Sequence, residues 1–371
     1  MLVSPYARQV YSGMMPAQLR GALTERELSV DLPALCRVAG ARFVEGAVDR
    51  VEAGPEGGAV HTSVVTVEGN VLSLDVGARP AALDVPGARA HAHTVRPLTR
   101  WRALVAGAEA LAPFGVSERA GTSAGAVGGS PLACCVVGGG AGGVELALAL
   151  HARAGAAGRE PVVTLVEAGD LVLAGWGREG ARVRRLLDRR GVRVHTGRAV
   201  THVEADAVVL DGGERIASAL TVWVTGAAAH PFVRASGLPV DADGFLCVDR
   251  TLRAIDGRAV WGAGDCVALA GASWVPKAGV YAVREAPVLA HNLRAALAGG
   301  RSRPYAPQRH FLAALDTADG RAIVRWRGLT AHTGWALALK RAIDERFVRR
   351  YQAVYAGPSG AVTAPAPHVR S

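Results

Sequence analysis

The stretch Leu132-Ala133-Cys134-Cys135-Val136-Val137-Gly138-Gly139-Gly140-Ala141-Gly142-Gly143-Val144-Glu145-Leu146 decides the fold. Its apolar run reads as a strand buried on both faces of a parallel sheet. Cys134 and Cys135 are then expected to point to opposite sides of that strand. The run ends in G-x-G-x-x-G at Gly138, Gly140 and Gly143, and an Ala/Leu-rich helix-former segment follows at once. A second Val-rich run, Val162 to Val166, ends at Glu167. Strand, glycine loop, helix, strand and terminal acid stand in the order of a dinucleotide-binding βαβ unit. The first glycine permits the tight turn, the second admits a diphosphate to the backbone, and the third lets helix and strand pack closely. The helix start offers free N–H groups and a positive dipole end. Glu167 is expected to accept hydrogen bonds from ribose hydroxyls and to favour NADH over NADPH.

Composition narrows the remaining classes. The chain has 371 residues, half of them hydrophobic, and a formal net charge of +10. Only Lys277 and Lys340 are lysines, and the arginines are spread along the chain, so the charge predicts no nucleic-acid partner. No apolar run is long enough to span a membrane, and the first residues lack the build of a secretory signal. Five cysteines without a C-x-x-C pair argue against a zinc ribbon or a dithiol centre, and imply free thiols in a reducing cytoplasm. His91-Ala92-His93 has no matching ligand partner and is expected to be a surface loop, so no metal site is expected. Hydrolase and kinase motifs are absent.

Two stretches resemble each other. Leu35 to Gly46, running on to Val51-Glu52-Ala53, parallels Leu186 to Gly197, running on to Val203-Glu204-Ala205. Each copy then reaches an apolar strand ending in glycine, Val71 to Gly77 and Leu220 to Gly226. By this repeat Leu2-Val3-Ser4 is the counterpart of Leu165-Val166-Glu167. The counterpart of the first glycine loop falls upstream of Met1, so the chain is expected to begin in mid-domain.

Together these residues resemble the pyridine nucleotide–disulfide oxidoreductase superfamily, flavoproteins with two dinucleotide-binding domains. The likeness runs over roughly residues 1–350. Ala259-Val260-Trp261-Gly262-Ala263-Gly264-Asp265 is similar to the family's late flavin motif, which implies that Gly264 and Asp265 hold the ribityl chain of FAD. Thr225-Gly226 matches the strand end that leads back out of the NAD domain. Within the superfamily the chain looks most like type II NADH dehydrogenases and the dehydrogenase-like proteins associated with selenide, water dikinase. Tyr11-Ser12-Gly13-Met14-Met15-Pro16 looks like their loop near the flavin, which implicates Ser12 and Gly13. Pro276-Lys277-Ala278-Gly279 looks like the segment covering the isoalloxazine ring, which implicates Lys277. Glu145 matches a family glutamate near the reacting rings; it also reads as a first-turn acid favoured by the helix dipole. The chain departs from the family in lacking the glycine loop that seats the ADP half of FAD.

The resemblance implies an α/β fold: two Rossmann-like dinucleotide-binding domains, the first N-terminally truncated, and a small α+β C-terminal region. The expected division is an incomplete FAD domain at 1–100 and 236–305, an NAD(H) domain at 101–235, an interface region at 306–356 and a disordered tail at 357–371. Gly115 to Ser130 reads as a flexible loop. Trp335, Leu339, Ile343, Phe347 and Tyr351 recur every fourth residue on one helix beside Lys340, Arg341, Arg346, Arg349 and Arg350. That stripe suits packing on the chain's own sheet, a homodimer partner, or an anionic membrane surface. The implied activity is hydride transfer from NADH to FAD and then electron transfer to a quinone-like acceptor. It would take place in the cytoplasm, with peripheral attachment to the inner membrane face as one placement. Two alternatives stand: a ferredoxin- or rubredoxin-type reductase with an acidic protein partner, and a non-catalytic NAD-binding protein or fragment without a complete FAD site.

Overall fold

The computed structural model describes residues 1–112 and 131–356. The expectations for 115–130 and for the tail 357–371 fall outside these residues. Strand β1 (Leu2–Ser4) pairs in parallel with β2 (Phe43–Glu45), with Val3 opposite Val44. Between them Ser12–Met14 forms a 3-10 turn that runs into the short helix α1 (Met15–Leu19), whose second residue is Pro16. Proline suits that place because its missing N–H has no partner in a first turn. After β2 comes an antiparallel meander, Val48–Gly54, Gly57–Thr62 and Thr66–Gly69, and then β3 (Leu72–Leu74).

The largest sheet is built around the quoted stretch. It comprises β4 (Ala92–Thr94), β5 (Leu132–Val137), β6 (Pro161–Glu167), β7 (Arg193–Thr196) and β8 (Leu220–Trp223), all parallel, in the order β4-β8-β5-β6-β7. Helices α2 (Leu98–Leu111), α3 (Ala141–Ala156) and α4 (Arg178–Arg189) accompany these strands. His91 ends a short helical turn and His93 lies in β4, so this pair belongs to regular structure and not to a surface loop. Ladder pairing with β8 fixes it there.

The two faces of β5 serve different cores. Cys134 packs with Trp101, Leu104, Val144 and Leu148, while Cys135 packs with Val166, Val208 and Trp223. Burial pushes both thiols up to about 12, so they are small apolar residues in effect. Trp101 is fully buried and donates its indole N–H to Gln18 Oε1 at 2.7 Å, which ties α2 to α1. Arg153, near the end of α3, is 3% exposed. Its guanidinium donates to the carbonyls of Ala108, Ala112 and Leu19 at 2.8–3.1 Å. One planar fork thus satisfies the open end of α2 and the end of α1 together.

The rest of the chain returns to the first strands. β9 (Leu246–Val248) pairs in parallel with β11 (Val267–Leu269), and β10 (Val260–Gly262) pairs in parallel with β3. Helix α5 (Gly279–Ala298) follows, held by Asn292, whose buried amide bonds Thr251 O, Arg303 O and Arg303 N. A three-stranded antiparallel sheet, β12 (Ala313–Asp316), β13 (Ala322–Trp326) and β14 (Leu329–Thr333), leads into α6 (Gly334–Ala356).

The internal repeat shows in the topology. β1, β2, β3 and β10 match β6, β7, β8 and β4 in pairing and direction, and each half carries a three-stranded antiparallel meander. In the second half β5 joins β8 to β6; among the described residues no strand joins β3 to β1. Leu72 and Leu74 are buried, yet Ser73 is exposed, whereas all four residues of β8 are buried. The Val71–Gly77 stretch accordingly forms only three strand residues.

Candidate functional site

The glycine loop is set by close backbone approaches. Gly138 has φ +115°, and a Cβ there would stand 2.5 Å from Val224 O. A Cβ on Gly143 would meet Gly138 O at 1.8 Å, because the first turn of α3 lies directly on the strand end. Gly140 differs: a Cβ there would meet nothing within 4 Å. The second glycine therefore faces open space at the start of a sixteen-residue helix, where free N–H groups and the dipole favour an anion. Glu167 ends β6 and clasps the loop, with Oε2 accepting from Gly139 N at 2.6 Å and Oε1 from Gly169 N at 2.7 Å. Thr225 donates to Ala81 O at 2.7 Å, and Gly226 O accepts from Ala81 N at 2.8 Å. These two residues join the end of β8 to the segment after β3.

A second group gathers where β10 ends. Gly264 has φ +78°, and its N–H donates to Glu285 on α5 at 2.6 Å. Asp265 is paired with Arg96 at 3.1 Å, and Arg96 also reaches Ala78 O. The Lys277 ammonium donates to Val267 O and lies 3.8 Å from the Phe245 ring centroid. Burial pulls Lys277 down, opposed by Asp241, and pushes Glu285 up.

A third group surrounds Glu145, which is 8% exposed on α3. Its Oε1 accepts from Asp316 N at 2.8 Å and lies 4.0 Å from Lys340 Nζ. Lys340 donates to Asp344 Oδ2 and to Gly13 O, both at 2.7 Å. Tyr11 donates to Asp344 Oδ1 at 3.1 Å, and Arg20 pairs with Asp316 at 3.3 Å. Burial pushes the Glu145 carboxyl up to about 7, with the Lys340 ammonium opposing. Burial pulls Lys340 down, but Glu145 and Asp344 outweigh it and hold the ammonium above its usual range. Burial and Asp344 raise the Tyr11 phenol.

The structure thus brings Gly138, Gly140, Gly143 and Glu167 into one cradle and Gly264, Asp265 and Lys277 to one strand end. Gly13 is linked to Glu145 through Lys340, while Ser12 is exposed at the start of the 3-10 turn. Sequence reasoning missed Arg96, Arg20, Asp316 and Asp344, and it placed Lys340 only as a flanking charge. One signal was present: among 42 basic residues the two lysines are Lys277 and Lys340, and both are drawn in from solvent. Among the described residues no cluster of His, Cys, Asp and Glu could hold a metal.

The glycine cradle fits the ADP half of a pyridine nucleotide. The β10 end offers acceptors and donors for a flavin and its ribityl chain, although Asp265 already carries Arg96. Among the described residues no second glycine loop faces the β1–β3 side to seat a flavin dinucleotide's diphosphate.

Two parallel-sheet units, a glycine cradle and a late Gly-Asp strand end define a dinucleotide-dependent oxidoreductase fold. The chain belongs to the pyridine nucleotide-disulphide oxidoreductase family, whose model matches residues 45–292. This is a family of FAD- and NAD(H)-using enzymes. An NADH dehydrogenase-like protein of Mycobacterium tuberculosis is 36% identical over 140 residues, covering 36% of this chain and 35% of that protein. The chain spans only 20% to 35% of the length of curated relatives such as these. Among solved structures, the sulfide:quinone oxidoreductase of Aquifex aeolicus superposes with a TM-score of 0.76 at 17% identity, covering 96% of this chain and 86% of that one. NDH2 of Plasmodium falciparum in complex with NADH superposes with a TM-score of 0.74 at 12% identity, covering 95% and 92%. A ferredoxin reductase of Rhodopseudomonas palustris gives 0.68 at 20% identity, covering 87% and 74%. At such identities these likenesses establish the shared fold.

Proposed function

We propose that this chain is an NADH-binding flavoprotein oxidoreductase that takes a hydride from NADH and passes electrons to a quinone-like acceptor. The open face of Gly140 at the start of α3, between the two close-packed glycines, carries the reading, since a diphosphate can reach the free backbone N–H groups there. Gly138, Gly140 and Gly143 admit the diphosphate to the backbone, and Glu167 meets the ribose hydroxyls. Thr225 and Gly226 line the passage between the two sheets. Ser12, Gly13, Gly264, Asp265 and Lys277 face the flavin, and Glu145 lies behind the reacting rings as the group that exchanges a proton. Bound flavin would supply the hydride acceptor; the protein's part is to position, shield and tune charge. The division of labour follows the expected boundaries: 1–100 with 236–305 for flavin, 101–235 for NADH and 306–356 as an interface.

The interface has a membrane-facing side. Trp335, Leu339 and Ile343 are 58%, 39% and 45% exposed along one face of α6, and Leu329 and Trp326 of the preceding hairpin are exposed as well. Arginines 341, 346, 349 and 350 flank that face. No described helix is long and apolar enough to cross a membrane, so attachment would be peripheral, at the cytoplasmic side. The formal charge of +10 favours one second reading, a reductase for an acidic electron-carrier protein.

The test is NADH oxidation by purified protein supplied with FAD, comparing a short-chain quinone with an acidic ferredoxin. Quinone-dependent turnover insensitive to salt supports the first reading. Turnover only with ferredoxin, lost at high salt, transfers the assignment to the second. NADH binding without turnover or bound flavin overturns both.

A further inference from the structure

Much of the chain's positive charge gathers along α5 and the segment after it. From Cys266 to Leu315 there is a single acidic residue, Glu285, against six lysines and arginines, which is half of the formal net charge of +10. Glu285 is buried and accepts from Gly264 N at 2.6 Å, so it does not meet these cations at the surface. Residues 299–312 run back along α5. Arg301 O meets His291 Nε2 at 3.2 Å, the Arg303 backbone holds the Asn292 amide, and Gln308 O accepts from the Tyr281 hydroxyl at 3.2 Å. Buried Asn292 and Tyr305 pin this strap, and Tyr305 N donates to Arg250 O at 2.6 Å. Arg294, Arg301 and Arg303 are thereby exposed together beside the second half of α5, with Arg284, Arg309 and exposed Trp274 toward its start. Among the described residues Arg284, Arg294, Arg301 and Arg303 form no ion pair and no side-chain hydrogen bond. Arg102, Arg198 and Arg215, by contrast, each face a carboxylate at 2.6–2.8 Å. Asp249, on the turn next to the strap, spends its carboxylate on Thr251 and on Arg253 N.

We propose that this arginine track is the docking face for an acidic protein. Cations fixed on folded backbone and left without counter-charge attract a carboxylate-rich surface and steer its approach, at little ordering cost. Helix α5 is about 30 Å long, enough for one side of a weak, transient interface. Two other polyanions fit less well. A single-stranded nucleic acid needs an open aromatic face on which to stack, and Trp274, the exposed ring beside the track, already has the Arg309 guanidinium 5.0 Å over it. A membrane needs a continuous apolar stripe beside the cations, whereas α5 exposes Val283 and Leu297 about 21 Å apart. The start of α5 lies just after Lys277, so a docked partner sits close to the end of β10. The placement deepens the second reading above, an acidic electron carrier, and rests on it for what the partner does once bound; the binding itself needs no turnover.

The test is binding of the full chain, without NADH, to an immobilised acidic ferredoxin and to poly-L-glutamate at low and high salt. Binding is expected at low salt and is lost as screening sets in above about 0.1 M. Arg294→Gln, Arg301→Gln and Arg303→Gln combined should weaken it about tenfold or more. The thermal melt should not move, since none of the three side chains makes a bond in the fold. Arg185→Gln, Arg189→Gln and Arg193→Gln combined remove the same charge from another exposed surface and should change the affinity by less than about twofold. Equal losses from the two triple variants, or no binding to either probe at low salt, overturn the proposal. So does tighter binding of duplex DNA or of anionic vesicles through the track, which would hand the face to a different polyanion. Bound ferredoxin that NADH never reduces would sink the electron-carrier reading and leave the docking face standing. Ferredoxin binding and turnover indifferent to the Arg294 triple variant would sink the docking face alone.

Discussion

The carbonyl oxygen of Gly138 occupies the place that a side chain on Gly143 would need, 1.8 Å from its ideal Cβ. The strand end and the first turn of α3 are therefore joined by backbone alone. Gly140, midway between them, has no such constraint from the protein. Gly143→Ala is expected to destabilise the fold by about 1–3 kcal/mol through overpacking and to abolish NADH binding with it. Gly140→Ala should leave the unfolding midpoint unchanged while weakening NADH tenfold or more, about 1.4 kcal/mol. Chemical denaturation and fluorescence titration separate the two; equal stability loss at both positions would remove the case for a diphosphate at Gly140.

Glu167 holds two loop N–H groups and retains lone pairs for a ribose. Glu167→Gln keeps an acceptor for the loop but loses the charge that opposes a 2′-phosphate. We expect NADH affinity to fall and the NADH:NADPH ratio of dissociation constants to relax by about tenfold, some 1.4 kcal/mol. An unchanged ratio would mean that another residue selects the nucleotide.

Arg153 satisfies three carbonyls from two helix ends. Arg153→Met leaves the carbonyls of Ala112 and Leu19 without this donor, while Ala108 O keeps the Ala112 N–H, and a loss of about 2–4 kcal/mol is expected in urea unfolding. Arg153→Lys should recover little of it, because one ammonium cannot reproduce the fork. Full rescue by lysine would show that charge rather than geometry matters at this junction.

Glu145 predicts a pH dependence of stability. Its carboxyl is raised from 4.5 to about 7, so the folded state holds the proton more tightly than the unfolded state. Stability from this group is complete below about 4.5 and is lost as pH rises through about 7, on the order of 3 kcal/mol in all. Glu145→Gln should flatten the urea midpoint over that window. A wild-type midpoint that rises across it instead would show that Glu145 is ionised throughout.

Trp335, Leu339 and Ile343 carry little of the fold. Replacing all three with serine should leave the circular dichroism melt within a few degrees of wild type and reduce co-sedimentation with anionic vesicles at least tenfold, about 1.4 kcal/mol. A large fall in melting temperature would place this face in a protein interface.

The expected apolar stripe on α6 shows where sequence reading stops. Periodicity grouped Trp335, Leu339, Ile343, Phe347 and Tyr351 on one side, but the helix divides them. Phe347 packs on Tyr11 at 4.8 Å between ring centroids and on Tyr351 at 5.3 Å, while the first three face outward. The side turned inward carries Ala336, Leu337, Asp344 and Val348, with a carboxylate that no hydrophobic pattern would select.

What the sequence determined by itself is local. The order of strand, glycine loop, helix and terminal acid was legible because a tight turn, a diphosphate approach and a helix–strand contact each demand glycine at a fixed spacing. The opposite facing of Cys134 and Cys135 was legible for the same reason, since strand geometry alternates from one residue to the next. Tertiary structure alone decided which charges meet. Lys340 reaches Glu145, Arg96 reaches Asp265 and Arg153 reaches Leu19 across long stretches of chain, and the sequence holds many other arginines and acids with equal claim. Apart from pairs within one helix, such as Lys340 and Asp344 at i,i+4, electrostatic partners carry no spacing rule. They are chosen by which helices pack together and by how far that packing excludes water; this is also what makes Glu145, which lies beyond the first turn of α3 and not in it as expected, a buried carboxyl raised to about 7.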